Sequence, residues 1–84
     1  MKQVVLPELG EGIETATIAA WNVKKGDLVK KEDDIVELVT DKASFSVSAG
    51  FDGRVIELQF QEGEEVAIGE TLAVIDEENK KGFL

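Results

Sequence analysis

The sequence predicts an all-β domain, folded as a flattened barrel or sandwich with an internal repeat. Three observations lead to this fold class. Short runs of β-forming residues recur along the 84-residue chain, each bounded by glycine or other turn-forming residues. No segment carries a continuous apolar stripe at helical spacing. The apolar pattern of the first half also returns in the second half at a constant offset, which predicts two copies of one unit.

Three strands are predicted in the first half of the chain. Residues 4–6 form a short strand that ends at Pro7, which has no N–H to donate to a sheet ladder. Residues 15–23 are rich in β-formers and run into the turn-forming segment 24–27. Residues 35–39 follow, with one glutamate interrupting an otherwise apolar run. Each run stops at turn-forming residues, as the strands of sandwiches and barrels do.

Three more strands are predicted in the second half. Residues 45–47 continue the chain after a turn, and the Phe-Asp-Gly step at 51–53 leads into a strand over 54–60. A Glu-Gly-Glu turn at 62–64 separates that strand from a last one at 72–75. The spacing of these short strands favours an all-β sandwich or barrel.

An internal repeat relates the two halves at an offset of 37 residues, as from Gly26 to Gly63. The matched pairs are Ile18 and Val55, Trp21 and Leu58, Val23 and Phe60, Gly26 and Gly63, Asp27 and Glu64, Val29 and Val66, Ile35 and Leu72, and Leu38 and Ile75. Neither copy can bury its apolar face alone, so we expect the two to pack about a pseudo-twofold axis. The same offset relates Asp41 and Lys42 to Glu78 and Asn79. The repeat therefore predicts that Lys42 projects from the pole opposite the C-terminus.

Composition excludes several classes of function. Histidine and cysteine are both absent, which removes the commonest catalytic base, the commonest nucleophile and nearly all zinc, haem and iron–sulfur ligand sets. Lysine and arginine total 9 against 18 aspartates and glutamates, a net charge of −9. Such a chain is repelled by phosphate backbones and anionic lipid surfaces, so we expect no nucleic acid and no membrane as partner. The acidic run Glu32-Asp33-Asp34 lacks the spacing of a calcium-binding loop, so we also expect no metal.

Length predicts one domain over residues 1–77, with residues 78–84 as a C-terminal tail or the start of a linker. The apolar stretch near Met1 is too short for a signal peptide and lacks the Arg- and Ser-rich character of a transit peptide. These features favour a cytoplasmic bacterial location, or the mitochondrial matrix if the sequence is a mature fragment.

One turn is the main candidate for chemistry. An isolated Asp-Lys pair is typical of a solvated turn. Here Thr40-Asp41-Lys42-Ala43 occurs together with Glu11-Gly12, the stretch 21–29 and the repeat. The combination resembles the lipoyl domains of 2-oxo acid dehydrogenase acyltransferases, in the biotinyl/lipoyl-attachment family, over roughly residues 4–76. The resemblance implies a barrel-sandwich hybrid of two antiparallel sheets with about four strands each.

The resemblance also implies a non-catalytic carrier. Lipoate would be attached covalently to Lys42, with Asp41 and Ala43 flanking it in the turn, by a lipoate ligase or a lipoyl/octanoyl transferase. The lipoyl-lysine arm would accept an acyl group from a thiamine-diphosphate-dependent 2-oxo acid decarboxylase/dehydrogenase. It would deliver that group to an acyltransferase core for transfer to coenzyme A, and dihydrolipoyl dehydrogenase would reoxidise it. The parent chain would be a dihydrolipoyl acyltransferase.

Residues near the turn are implied as the surface that partners recognise. They are Glu11, Gly12 and Glu14 in one loop, and Val39 and Thr40 beside the attachment lysine. The sequence departs from the commonest family pattern at Val39, at Ser46 and at Ala49-Gly50. These departures leave the 2-oxo acid open among pyruvate, 2-oxoglutarate, branched-chain and acetoin types.

Three alternatives stand beside this interpretation. The first is a biotin carrier domain of a carboxylase, which shares the fold but flanks its lysine with methionines, whereas the only methionine here is Met1. The second is the glycine-cleavage carrier protein, which is longer and has extra helices. The third is an unmodified β-sandwich interaction module. Trp21 could belong to a recognition surface, although a half-buried structural role is commoner for a lone tryptophan.

Overall fold

The computed structural model describes residues 1–77 as eight β-strands in two four-stranded antiparallel sheets. The strands are β1 (Lys2–Val5), β2 (Thr15–Trp21), β3 (Leu28–Val29), β4 (Asp34–Val39), β5 (Ser44–Ser48), β6 (Gly53–Leu58), β7 (Glu65–Ala67) and β8 (Thr71–Asp76). One sheet has the order β1-β8-β6-β3 and the other β5-β4-β2-β7. No helix occurs within residues 1–77, so none there could cross a membrane. The predicted all-β fold is confirmed, and the predicted tail 78–84 lies outside the described residues.

The strands differ from the predicted ones at several places, including β1, which was predicted over residues 4–6 and spans Lys2–Val5. Two strands were not predicted, β3 and β7, because two or three residues are too few to show an alternating pattern. The second predicted strand ran to Val23, but β2 ends at Trp21. Beyond Trp21 the backbone departs from the ladder, although the N–H of Asn22 still donates to the carbonyl of Ile35 at 2.9 Å. Similarly β6 ends at Leu58, where the prediction continued to residue 60.

The internal repeat is visible in the topology. Exchanging β1 with β5, β8 with β4, β6 with β2 and β3 with β7 converts the strand order of one sheet into that of the other. The register irregularity of β2 against β4, between Ile18 and Ala20, recurs at the equivalent place in β6 against β8, between Val55 and Glu57. The predicted pseudo-twofold relation is therefore present in both strand order and register.

The matched Gly-acidic steps of the repeat make the same turn twice. The N–H of Gly26 donates to the carbonyl of Val55 at 2.7 Å, and the N–H of Gly63 donates to the carbonyl of Ile18 at 2.8 Å. Both glycines have positive φ, +97° and +92°, a conformation that side chains disfavour. The following acidic side chain, Asp27 or Glu64, accepts a hydrogen bond from the backbone N–H three residues earlier, at 2.8 Å and 2.7 Å. These contacts explain why glycine and a carboxylate recur at this offset.

The core lies between the two sheets and is built from the inward faces of their strands, together with Leu6 and Ala49 just beyond two strand ends. None of its members within residues 1–77 is polar or charged. Removing this apolar surface from water is the main favourable term in folding. The buried residues are Val4, Leu6, Ala16, Ile18, Val29, Ile35, Val36, Leu38, Val47, Ala49, Val55, Val66, Leu72, Ala73 and Ile75.

Gly53 allows β6 and β8 to approach each other closely. A Cβ at this position would lie 2.3 Å from the backbone oxygen of Asp76 and 2.9 Å from Cγ2 of Ile75. The residue is buried and its φ is not in the left-handed region, so space rather than backbone conformation requires glycine here. At Gly63 the opposite holds, because φ is positive while a Cβ there would have no neighbour within 4 Å.

Replacing these two glycines by alanine should separate the two effects. Gly63→Ala should cost about 1 kcal/mol of unfolding free energy through backbone strain. Gly53→Ala should reach or exceed about 3 kcal/mol, the upper end for overpacking. Since about 1 kcal/mol shifts Tm by roughly 4–8 °C in a domain of this size, calorimetry resolves the two. Equal losses of Tm would contradict the close approach of β6 and β8 described here.

Candidate functional site

The candidate site is the tip of the β4–β5 hairpin. Val39 pairs with Ser44 in the last register step before the turn, and Leu38 pairs with Phe45. Leu38 is fully buried, and two steps further from the turn Val36 is fully buried opposite the buried Val47. Because both strands of the hairpin insert side chains into the core, the position of the turn at its tip is set by core packing.

Hydrogen bonds of Thr40 close the turn. Its backbone N–H donates to the carbonyl of Ala43 at 2.8 Å. Its hydroxyl oxygen accepts from the backbone N–H of Lys42 at 3.2 Å and from that of Ala43 at 3.1 Å. The hydroxyl also lies 3.3 Å from the Ala43 carbonyl oxygen, to which it can donate. One side chain thus engages both polar backbone groups of Ala43 and the amide of Lys42.

The rest of the turn faces solvent. Asp41, Lys42 and Ala43 are exposed, whereas Thr40 is half-buried. Lys42 therefore presents a primary amine on a long unbranched side chain, at the tip of a backbone that hydrogen bonds hold in place. An amine in this setting suits covalent attachment of a carboxylic acid through an amide bond, because a modifying enzyme can reach it and the product can swing freely.

The loop between β1 and β2 lies against this turn. Gly12, Glu14 and Thr15 line one side of a cleft of about 270 Å³, and Asp41 and Lys42 line the other. Thr40 also lines this cleft, so the structure brings together five of the residues implied in recognition or attachment, from two distant parts of the sequence. Glu11 is exposed in the same loop but is not among the residues that line the cleft.

A second cleft adjoins the first and contains residues that the sequence did not indicate. Val39, one of the predicted recognition residues, lines it together with Thr17 and Glu65. Glu65 belongs to β7, which was not predicted, and its carboxylate accepts a hydrogen bond from the hydroxyl of Thr15 at 3.0 Å. The match of Val66 to Val29 in the repeat was the available signal for this strand, but a strand of three residues shows no pattern of its own.

Two other features have structural roles. The indole N–H of Trp21 donates to the carbonyl of Phe60 at 2.9 Å, and the ring is half-buried. The carboxylate of Asp33 accepts from the N–H of Lys30 at 2.9 Å, which closes a turn. Within residues 1–77 the structure contains no group of three or more acidic residues arranged to hold a metal ion.

Comparison with known proteins places the chain in a family. The family model described as "Biotin-requiring enzyme" matches residues 2–75. The lipoamide acyltransferase component of the branched-chain alpha-keto acid dehydrogenase complex of Bacillus subtilis (strain 168) is 38% identical over 78 residues. That match covers 93% of this chain but 18% of the relative, so the chain spans about a fifth of the relative's length.

Comparison with solved structures indicates the same family. The solution structure of the lipoyl domain of the 2-oxoglutarate dehydrogenase complex of Azotobacter vinelandii has a TM-score of 0.75 and 34% identity. The match covers 94% of this chain and all of that domain. The urea carboxylase of Kluyveromyces lactis has a TM-score of 0.76 over 89% of this chain and 6% of its own, at 21% identity, which shows a shared fold alone. The chain therefore belongs to the family of biotin- and lipoyl-attachment domains and, within it, to the lipoyl domains, which carry lipoate covalently attached to a lysine.

Proposed function

We propose that this domain is an acyl carrier whose lipoyl group is attached to Lys42. The observation that carries the proposal is the setting of Lys42, an exposed amine at the tip of a hairpin with both strands anchored in the core. A lipoyl group bound there supplies a dithiolane that can accept an acyl group and release it to coenzyme A. The residues of this chain hold and present that group.

The domain itself performs no catalysis in this proposal. The sequence has no histidine and no cysteine to act as base or nucleophile. Its contribution is to keep the amine of Lys42 in a defined place and to offer a protein surface beside it. Presenting a tethered group to successive active sites raises its effective concentration there, without any bond being made or broken by the carrier.

The proposed partners follow from this role. They are a thiamine-diphosphate-dependent 2-oxo acid dehydrogenase component that supplies the acyl group, an acyltransferase core that removes it, dihydrolipoyl dehydrogenase, and a lipoate ligase or lipoyl/octanoyl transferase. The similar proteins include components of branched-chain, 2-oxoglutarate and pyruvate dehydrogenase complexes, which supports the class of partner without selecting one acid. The net charge of −9 favours partners with basic docking surfaces.

A biotin carrier is the competing function within the same fold. Biotinyl domains usually flank their lysine with methionines, whereas Asp41 and Ala43 flank Lys42 here. The likeness to urea carboxylase supports the fold alone. Both modifications target the same hairpin, so the enzyme that modifies Lys42 distinguishes the two functions.

The first prediction is a single modification at Lys42. Incubation with lipoate ligase, ATP and lipoate should add one lipoyl group by intact mass, and biotin ligase with biotin should add none. Lys42→Arg should abolish lipoylation because guanidinium does not form the amide. Lys25→Arg is the matched control, since Lys25 is also exposed in a turn, and it should be modified like the parent. Modification of the Lys42→Arg variant, or biotin on the parent, would overturn the proposal.

The second prediction concerns the cleft beside the turn. Decarboxylating components of the pyruvate, 2-oxoglutarate and branched-chain types are each tested on the lipoylated domain and on free lipoamide. One component should acylate the domain with a far higher kcat/KM than it acylates free lipoamide. With that component, Glu14→Gln should lower kcat/KM by roughly two- to fivefold, since an exposed ion pair contributes about 0.2–1 kcal/mol. Glu11→Gln should have a smaller effect, because Glu11 does not line the cleft.

Glu57→Gln is the control for net charge, because Glu57 is exposed on the other sheet, in β6. It should leave kcat/KM close to that of the parent. Equal losses for Glu14→Gln and Glu57→Gln would mean that general charge, rather than the cleft, governs recognition. Equal efficiency for the domain and free lipoamide would remove the case for any recognition surface.

A further inference from the structure

The hydroxyl of Thr40 makes hydrogen bonds inside the turn, and recognition by a partner protein would not by itself explain them. Its hydroxyl oxygen lies 3.2 Å from the backbone nitrogen of Lys42 and 3.1 Å from that of Ala43, and accepts from both N–H groups. The residue is half-buried, whereas the three that follow it are exposed. A hydroxyl that is turned toward the backbone in this way has less capacity left for a partner protein.

The backbone conformation shows why the turn needs such a side chain. Two-residue hairpin loops favour turns in which φ is positive, because their twist matches that of the strands. Neither Asp41 nor Lys42 has a positive φ. The N–H of Ala43 is instead satisfied by the Thr40 hydroxyl, while the N–H of Thr40 bonds to the Ala43 carbonyl at 2.8 Å. Threonine and serine hydroxyls can replace a backbone acceptor in this manner.

We propose that Thr40 is the positioning residue for Lys42, and that its hydroxyl holds the turn in the single conformation that the lipoylating enzyme recognises. The hydrogen bond to the N–H of Lys42 tethers the peptide plane that precedes its Cα. The direction in which the lysine side chain leaves the backbone depends on that plane. Without the hydroxyl the two tip residues sample other conformations, and the amine is presented correctly for a smaller fraction of the time.

This mechanism predicts a particular kinetic signature. If only a fraction of domains holds the competent turn, the apparent affinity of the enzyme for the domain falls by that fraction. The KM for the domain then rises, while kcat is retained because every bound domain has the competent turn. The inference rests on the proposed attachment at Lys42, and it also makes a prediction for the free domain that requires no enzyme.

The test compares Thr40→Val, Thr40→Ser and Thr71→Val. Valine matches threonine in shape but lacks the hydroxyl, and serine keeps the hydroxyl. Thr71→Val is the matched control, because its hydroxyl donates to the Gln3 side-chain oxygen at 3.2 Å on the other sheet. The measurements are lipoylation kinetics with lipoate ligase, hydrogen exchange at the amides of Lys42 and Ala43 in the free domain, and thermal unfolding as the control for the fold.

Thr40→Val should raise the KM for the domain roughly five- to thirtyfold, as expected for the loss of two hydrogen bonds of ordinary strength, with kcat within about twofold. Exchange at the two amides should accelerate by a similar factor. For Thr40→Ser, the KM for the domain and the rate of amide exchange should each stay within about threefold of the parent values. Thr71→Val should match the parent in both quantities. If Thr40→Val leaves amide exchange unchanged, or if Thr40→Ser fails to restore the KM, the positioning role is wrong. A parent domain that is not lipoylated on Lys42 would instead refute the proposed function, while the exchange result would still stand.

Discussion

The pairing of β4 with β5 is the constraint on which the candidate site depends. Leu38 is buried in the core and pairs with Phe45, only two residues from the turn. Because side chains alternate between the two faces of a strand, a slip of one residue would turn Leu38 toward solvent. The same slip would move the turn and the lysine at its tip. The burial of a few apolar side chains thus determines the place of a solvent-exposed amine.

The pseudo-twofold repeat explains why the Lys42 turn lies far from the first and last strand ends. The pairing of Lys2 with Ile75 in one sheet corresponds to the pairing of Phe45 with Leu38 in the other. β1 therefore begins, and β8 ends, at the place that is equivalent to the Lys42 turn. In a twofold arrangement these two places lie at opposite poles. A group on Lys42 would then extend away from the end of the fold where β1 begins and β8 ends.

Much of this arrangement could be predicted from the sequence because it depends on periodicity. The repeat of Gly26 at Gly63 reports two equivalent turns, and both have positive φ and the same hydrogen bonds. The Asp41-Lys42 turn could be located between two predicted strands, and the resemblance to lipoyl domains singled it out as the attachment site. Such features follow from local rules on glycine, turns and alternation, which a single sequence shows directly.

Other features could not be predicted because they depend on contacts between distant parts of the chain. β3 and β7 exist through pairing with β6 and β2, and so Glu65 could not be placed beside the turn. The need for Gly53 comes from the backbone of Asp76, which no local pattern records. The hydroxyl of Thr40 bonds within the turn, a role that the sequence does not show, while its part in recognition stays a prediction. Burial and hydrogen-bond direction decide such roles, and both require coordinates.

The most direct test of the central claim is to move the lysine by one position within the same turn. The double variant Asp41→Lys with Lys42→Asp keeps composition and net charge, and both positions are exposed, so the free energy of unfolding should change by no more than about 0.5 kcal/mol. The account predicts a folded domain, by circular dichroism and thermal unfolding, that lipoate ligase modifies far more slowly than the parent. A swapped domain that folds and is lipoylated as fast as the parent would contradict the claim that the hairpin defines the attachment site.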